Sequence, residues 1–181
     1  MAGAIGRDVS RRHPLPRLWL MTDERLGEGL WDALARLPRG GGVVFRHYAT
    51  PAVERRLLFA RVVRIARAHG LVVVRAGNWC GAGADGVHNR RGRGVRTASA
   101  HSLLEARAAV TRGADAVFVS PVFATRSHPG GRVLGVRGAE RIARLVGVPV
   151  IALGGMDAER FWRLDGFYGW AAIDAWSDDA T

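Results

Sequence analysis

Residues 43–74 run VVFRHYATPAVERRLLFARVVRIARAHGLVVV. Val43 to His47 is a short apolar stretch of strand length. Pro51 suits the first turn of a helix, where its missing N–H costs nothing. From there Val53, Leu57, Leu58, Val62, Ile65 and Ala66 recur at three- and four-residue spacing as far as His69, an amphipathic helical face. Gly70 supplies the helix stop. Leu71 to Val74 is then apolar without a break, as strands covered on both faces of a parallel sheet are. Strand, helix, strand in 32 residues predicts a βαβ unit, because parallel neighbours need a crossover connection.

The same alternation extends in both directions. Arg17 to Thr22 reads as a first strand and Glu28 to Leu37 as a first helix, ended by Pro38 and Gly40 to Gly42. Downstream, Asp85 to His88 and Val95 to Ser99 are strands flanked only by loop-length segments. Ser102 to Arg112 is a helix closed by Gly113, and Asp115 to Ser120 a sixth strand. Gly138 to Val146, Val148 to Leu153, Asp157 to Leu164 and Trp170 to Ile173 then read as helix, strand, short helix and strand, with Asp157 the N-cap of the third. Eight strands with five or six helices predict an α/β fold. A complete (β/α)8 barrel takes about 250 residues, so a barrel of 181 residues is compact, with several outer helices shortened or missing. One domain over 17–176 is expected, between a flexible basic N-terminus at 1–16 and a tail at 177–181. Strand faces stripped of helices would be apolar, which points toward a homodimer.

All 27 basic residues are Arg, against 16 Asp plus Glu. Without Lys there is no Schiff-base lysine, lysine nucleophile or P-loop lysine. The single Cys80 forms no internal disulfide and no thiolate pair, which suits a reducing, cytoplasmic location. No stretch approaches the roughly 18 apolar residues of a membrane span. The charge is concentrated: residues 55–104 carry ten Arg and one carboxylate, Asp85, and so nine of the eleven net positive charges. Two readings compete, a solvated face and a polyanion footprint. Nucleic acid is disfavoured, because only Trp79 lies near these arginines to stack on bases. Arg55, Arg56, Arg61, Arg64 and Arg67 belong to the polar side of the long helix.

In a parallel barrel, functional groups gather at the C-terminal ends of the strands. That places candidates at Thr22 and Asp23, Arg46 to Tyr48, Arg75, His88 to Arg91, Ser99 to His101, Ser120 to His128, Gly154 to Met156 and Asp174. Gly154 and Gly155 allow either a close approach of backbone N–H groups to phosphate or simply a tight turn. The loop Ser120-Pro-Val-Phe-Ala-Thr-Arg-Ser-His-Pro-Gly-Gly131 has the length and hydroxyl content of an anion-gripping lid.

Six motifs in order carry a resemblance: Leu18-Trp-Leu-Met-Thr-Asp23, Ala84-Asp-Gly-Val-His88, Ser99-Ala-His-Ser102 with Glu105, Gly113-Ala-Asp115, Ser120-Pro-Val-Phe-Ala-Thr125 and Val150-Ile-Ala-Leu-Gly-Gly-Met156. The chain resembles the thiamine phosphate synthase and TenI superfamily over about residues 17–176, as a diverged and shortened member. The resemblance implies a (β/α)8 barrel. For a synthase it implies a magnesium-dependent transferase, in which an aminopyrimidine methyl pyrophosphate ionises and a thiazole phosphate nitrogen captures the cation. It assigns Arg46 to pyrophosphate, Ser99, Thr125 and Ser127 to hydroxyl contacts, Gly154 and Gly155 to the thiazole phosphate, and His128 to the place of a lysine.

The same resemblance marks losses. The glutamine and lysine flanking the pyrophosphate arginine correspond to Val44 and Tyr48. The Asn-Asp pair that holds Mg2+ corresponds to Arg75-Ala76, and residues 89–93 read Asn-Arg-Arg-Gly-Arg where a second magnesium aspartate is expected, so no metal ligand is matched. On this reading Arg75, with Arg90, Arg91 or Arg93, replaces the metal charge and grips a phosphate directly. Asp174 stands at a phosphate-binding serine. The TenI branch uses a sixth-loop histidine where this chain has Pro121, leaving His101 or His128 as the acid–base alternative. The expectations are a synthase-like protein with a degraded magnesium site or, alternatively, an inactive or TenI-like barrel that binds a phosphorylated small molecule, with no membrane partner.

Overall fold

The computed structural model describes residues 14–125, 130 and 132–176. Eight strands close a barrel in sequence order: β1 (Leu18–Met21), β2 (Gly42–Phe45), β3 (Val72–Arg75), β4 (Gly86–His88), β5 (Val95–Ala100), β6 (Ala116–Val119), β7 (Val150–Leu153) and β8 (Gly169–Ala172). Every neighbouring pair is parallel, and β8 pairs back onto β1. Among the described residues the helices are α1 (Gly29–Arg36), α2 (Ala52–Ala68), α3 (Leu103–Thr111), α4 (Gly135–Leu145) and the single turn α5 (Ala158–Phe161). The expected compact (β/α)8 barrel is therefore the observed fold, without helices after β3 and β4.

Alternation along each strand divides the apolar residues into two layers. Inward-facing Trp19, Met21, Val44, Val74, Phe118, Ile151 and Ala171 fill the barrel. Trp19 lies across it, edge-on to Phe118 at 5.3 Å, and a Cβ on Gly42 would come within 2.2 Å of its ring, so only glycine fits there. Outward-facing residues pack under the helices: Leu20, Val43, Phe45 and Val73 against α1 and α2, and Val117, Val119, Val150 and Ala152 against α3 and α4.

Where helices are missing, loops cover the strands. After β3, Trp79 folds back, its indole donating to the Ala76 carbonyl at 2.8 Å and packing edge-on against Phe45 and Phe59. After β4, Gly92 lies directly on Val87, where a Cβ would meet the valine at 2.7 Å. Beyond β8 a 3-10 turn, Asp174–Trp176, stands in for the eighth helix, with Trp176 stacked on Trp170 at 4.9 Å. The strand faces expected to be bare are thus covered within the chain, Val87 being 4% exposed.

Two further expectations are corrected. On α2 the buried residues are Phe59, Val62, Val63 and Ala66, while Val53 and Leu57 are 63% and 70% exposed. The helix carries two overlapping stripes at helical spacing, and the one holding the aromatic Phe59 faces the barrel. At the N-terminal end, Leu15 is buried and the Pro16 carbonyl accepts from the Trp19 indole at 2.8 Å, so packing begins before residue 17. The segments 1–13 and 177–181 lie outside the described residues. No helix among the described residues is long and apolar enough to cross a membrane.

Candidate functional site

Parity on the strands decides which residues share the barrel mouth. On β2, Val44 faces inward and Phe45 outward, so Arg46 follows Val44 into the mouth. There its Nε donates to the Thr22 carbonyl at 3.1 Å and its guanidinium pairs with Asp23 at 3.4 Å. Asp23 also pairs with Arg25, which reaches Asp174 beyond β8 at 3.4 Å. Carboxylates and guanidinium groups alternate in this network, so Asp174 faces the mouth with a countercharge beside it. Burial lowers the Arg46 pKa and the Asp23 charge opposes that shift. The group remains a cation at neutral pH. Behind Arg46, on the outward side, the Thr22 hydroxyl takes the Arg46 N–H and meets His47 Nδ1, both at 3.0 Å. His47 stacks on Phe45, and burial holds its pKa below the usual range.

Across the mouth, β4 and β5 present a polar line. Thr97 and Ser99 face inward, two residues apart, and the register sets His88 beside Thr97. His88 Nδ1 lies 2.8 Å from Thr97 Oγ1 and Nε2 lies 3.0 Å from Ser99 Oγ. Burial, followed by the charge of Arg46, pushes the His88 pKa down to about 3. Asn89, left-handed at φ 56, accepts the Ser99 N–H at 2.7 Å and so fixes the end of β5. The Thr97 and His88 contacts escaped the sequence reading, although the alternation Thr97, Ser99 in an otherwise apolar barrel was a visible signal.

The third side comes from β6 and β7. Gly154 and Gly155 have φ 94 and 60, and a Cβ on either would strike Pro121 or the Ala124 carbonyl at 2.7 and 2.5 Å. These glycines therefore let the loop 121–125 lie on the β7 turn, with Phe123 N donating to the Gly154 carbonyl at 3.1 Å. Thr125, at the end of that loop, is half-buried. Ser127 and His128 lie outside the described residues. His101 is exposed, and its Nδ1 is 2.8 Å from the Ser120 carbonyl. A carbonyl only accepts, so Nδ1 carries a proton. Glu105 holds the His101 N–H at 2.9 Å.

Arg75 is not brought to this mouth. It shares the outward face of β3 with Val73, donates to the Trp79 carbonyl and lies 5.8 Å from the Trp79 ring. Arg90 is similarly used, donating to the Gly77 carbonyl at 2.6 Å and to Asn78. Both guanidinium groups staple the loop that replaces the third helix. Of the Arg75-Ala76 pair it is Ala76 that faces inward. Mg2+ needs hard oxygen ligands, whereas the ends of β3 and β4 offer Arg75, Ala76, His88 and Asn89. No three His, Cys, Asp or Glu among the described residues gather as a metal site. These residues do not fit a carboxylate-held magnesium ion. Asp85, the carboxylate nearest in sequence, accepts the Val73 N–H at 2.8 Å and serves the barrel wall.

Fold and mouth together define a (β/α)8 barrel of the kind that carries its functional groups at the C-terminal strand ends. Residues 91–175 match the family model described as thiamine monophosphate synthase. The chain is 38% identical over 80 residues to a thiamine-phosphate synthase of Pyrococcus horikoshii, covering 43% of this chain and 39% of that protein. It is 32% identical over 101 residues to that of Caldivirga maquilingensis, covering 49% of each. The matches thus span less than half the length of these curated relatives. A solved structure, the thiamine phosphate pyrophosphorylase from Pyrococcus furiosus, superposes with TM-score 0.74 at 24% identity over 92% of this chain and 90% of that one. The chain is thus similar to the thiamine monophosphate synthase family over residues 91–175 and shares its barrel fold with that solved structure.

Proposed function

We propose that the barrel mouth binds a phosphorylated small molecule of the kind thiamine phosphate synthases handle, and that it does so without carboxylate-held magnesium. The observation that carries this reading is the split character of the mouth. Arg46 is held in place by the Thr22 carbonyl and Asp23, and Ser99 opens onto the same space, while the ends of β3 and β4 carry Ala76 and Asn89. An arginine with fixed geometry and a hydroxyl suit an oxyanion. The left-handed pair Gly154-Gly155 adds a backbone of the type in which successive N–H groups converge on anions. The activity of the similar thiamine-phosphate synthases supports the ligand class.

Calorimetric titration with inorganic pyrophosphate and with thiazole phosphate, in EDTA and then in Mg2+, tests the proposal. Binding that survives EDTA and falls at least about tenfold in Arg46→Ala, as for loss of a charged hydrogen bond, is the expected result. Absence of binding by the unaltered protein overturns it. A synthase assay with both substrates and Mg2+, read as thiochrome fluorescence, should stay at background. Turnover would restore the full transferase reading.

A further inference from the structure

The line Thr97, His88, Ser99 carries more information than its distances, because only one arrangement of protons satisfies it. Thr97 is 2% exposed and His88 1%, so neither reaches bulk water. Among the described residues the Thr97 hydroxyl has a single partner, His88 Nδ1. Were Nδ1 to carry the proton, it would donate to Thr97 Oγ1, and the threonine's own buried O–H would be left without an acceptor. That costs about 1–3 kcal/mol. With the proton on Nε2 the conflict disappears: Thr97 O–H donates to Nδ1, Nε2–H donates to Ser99 Oγ, and the Ser99 proton is the one left over. Ser99 is half-exposed at the mouth, and that proton has somewhere to go.

We infer that His88 is a positioning residue, held as the Nε2–H tautomer by Thr97, which turns Ser99 into an outward-pointing hydrogen-bond donor for an oxyanion in the mouth. Thr97 donates, His88 accepts at Nδ1 and donates at Nε2, and Ser99 accepts and passes its own proton outward; such chains polarise their members in one direction. The geometry alone would also describe a serine nucleophile with a histidine base and a threonine orienter. That alternative needs a lone pair on Nε2 facing Ser99, which the Thr97 proton forbids. Both ring nitrogens are engaged, so His88 acts on a ligand only through Ser99. Arg46, the charged group that acts on His88, disfavours imidazolium and attracts the same anion. The inference about the anion rests on the function proposed above, whereas the tautomer stands by itself.

The test uses the full chain labelled with 15N and long-range proton–nitrogen correlation spectra, with His88→Gln for assignment. His88 should show a protonated Nε2 and a bare Nδ1, unchanged at pH 5. An Nδ1–H form, or imidazolium at pH 5, overturns the inference. Titration with inorganic pyrophosphate supplies the second readout. Thr97→Val removes the orienting donor at nearly constant shape and should weaken binding about tenfold, one hydrogen bond to a charged acceptor, while Thr97→Ser restores it. Thr97→Val with an intact fold and unchanged affinity counts against the relay, as does labelling of Ser99 by an alkyl fluorophosphonate. If the unaltered chain ignores pyrophosphate, the anion reading of the mouth fails, and the tautomer spectrum still decides the relay.

Discussion

His88 makes the sharpest demand on pH. An ordinary histidine titrates near 6.5, and burial together with the Arg46 charge holds this one near 3. Between those values the unfolded chain binds a proton that the folded chain does not, so stability rises with pH there. Going down, His88 costs up to ~1.4 kcal/mol per pH unit from about 6.5 towards 3, and above 6.5 it adds no pH dependence. Melting curves from pH 7.5 to 4.5 should therefore fall more steeply for the unaltered protein than for His88→Gln, which cannot titrate. Parallel curves would mean that His88 is charged in the fold. At this scale the sequence was partly legible. Arg46 and Ser99 were visible because a polar residue just beyond an apolar strand has few other uses. Arg75 misled because it also ends a strand. One step of alternation sends it outward to Trp79 and sends Ala76 to the mouth. His88 gained its meaning only from the register of β4 on β5, a non-local fact that no local pattern encodes.

At the scale of elements, the loop Ala76–Asp85 is a helix substitute built on one aromatic ring. Trp79 packs on Phe45 and Phe59, Gly81 gives it room, since a Cβ there would sit 2.5 Å from the ring, and Arg75 and Arg90 tie the flanking carbonyls. Trp79→Ala should cost about 2–3 kcal/mol, below the usual range for a fully buried tryptophan because this one is half-exposed. Urea denaturation gives the number, and a loss under 0.5 kcal/mol, the range of ordinary surface changes, would show that the ring is not what covers β3. A smaller and separate test lies at α3. Ser102 caps it, accepting the Glu105 N–H at 3.2 Å, while Glu105 returns a bond to His101 N. Ser102→Ala should lower stability by about 1 kcal/mol, and the same urea titration reads it. Strands and helices followed from periodicity because each buries one face. The loops did not, because Trp79 and Gly92 find their strands through tertiary contacts that leave no period in the chain.

For the molecule as a whole, the arginine excess and the missing helices fall in one sector, α2 through β5. Several of its guanidinium groups are engaged locally: Arg61 lies 3.8 Å from the centre of the Trp31 ring, Arg55 lies 5.2 Å from that of Trp79, and Arg75 and Arg90 bind loop carbonyls. Three arginines of what looked like a polyanion footprint in the sequence, Arg55, Arg75 and Arg90, therefore hold down irregular chain, which lacks the repeating backbone hydrogen bonds of a helix. The opposite sector, β6 and β7, lies under α3 and α4 with a continuous apolar layer between. Such an asymmetric barrel should open unevenly, because local stability follows buried apolar contact and regular hydrogen bonding. Native-state hydrogen exchange should find the amides of β4, only three residues long, exchanging through a sub-global opening well before those of Val117 to Val119. An anion gripped by Arg46 and Ser99 would tie β2 to β5 across the weak sector. Saturating pyrophosphate should then slow exchange in β4 while leaving β6 nearly unchanged. Equal protection in both sectors without ligand would mean that the loops hold the wall as firmly as helices do.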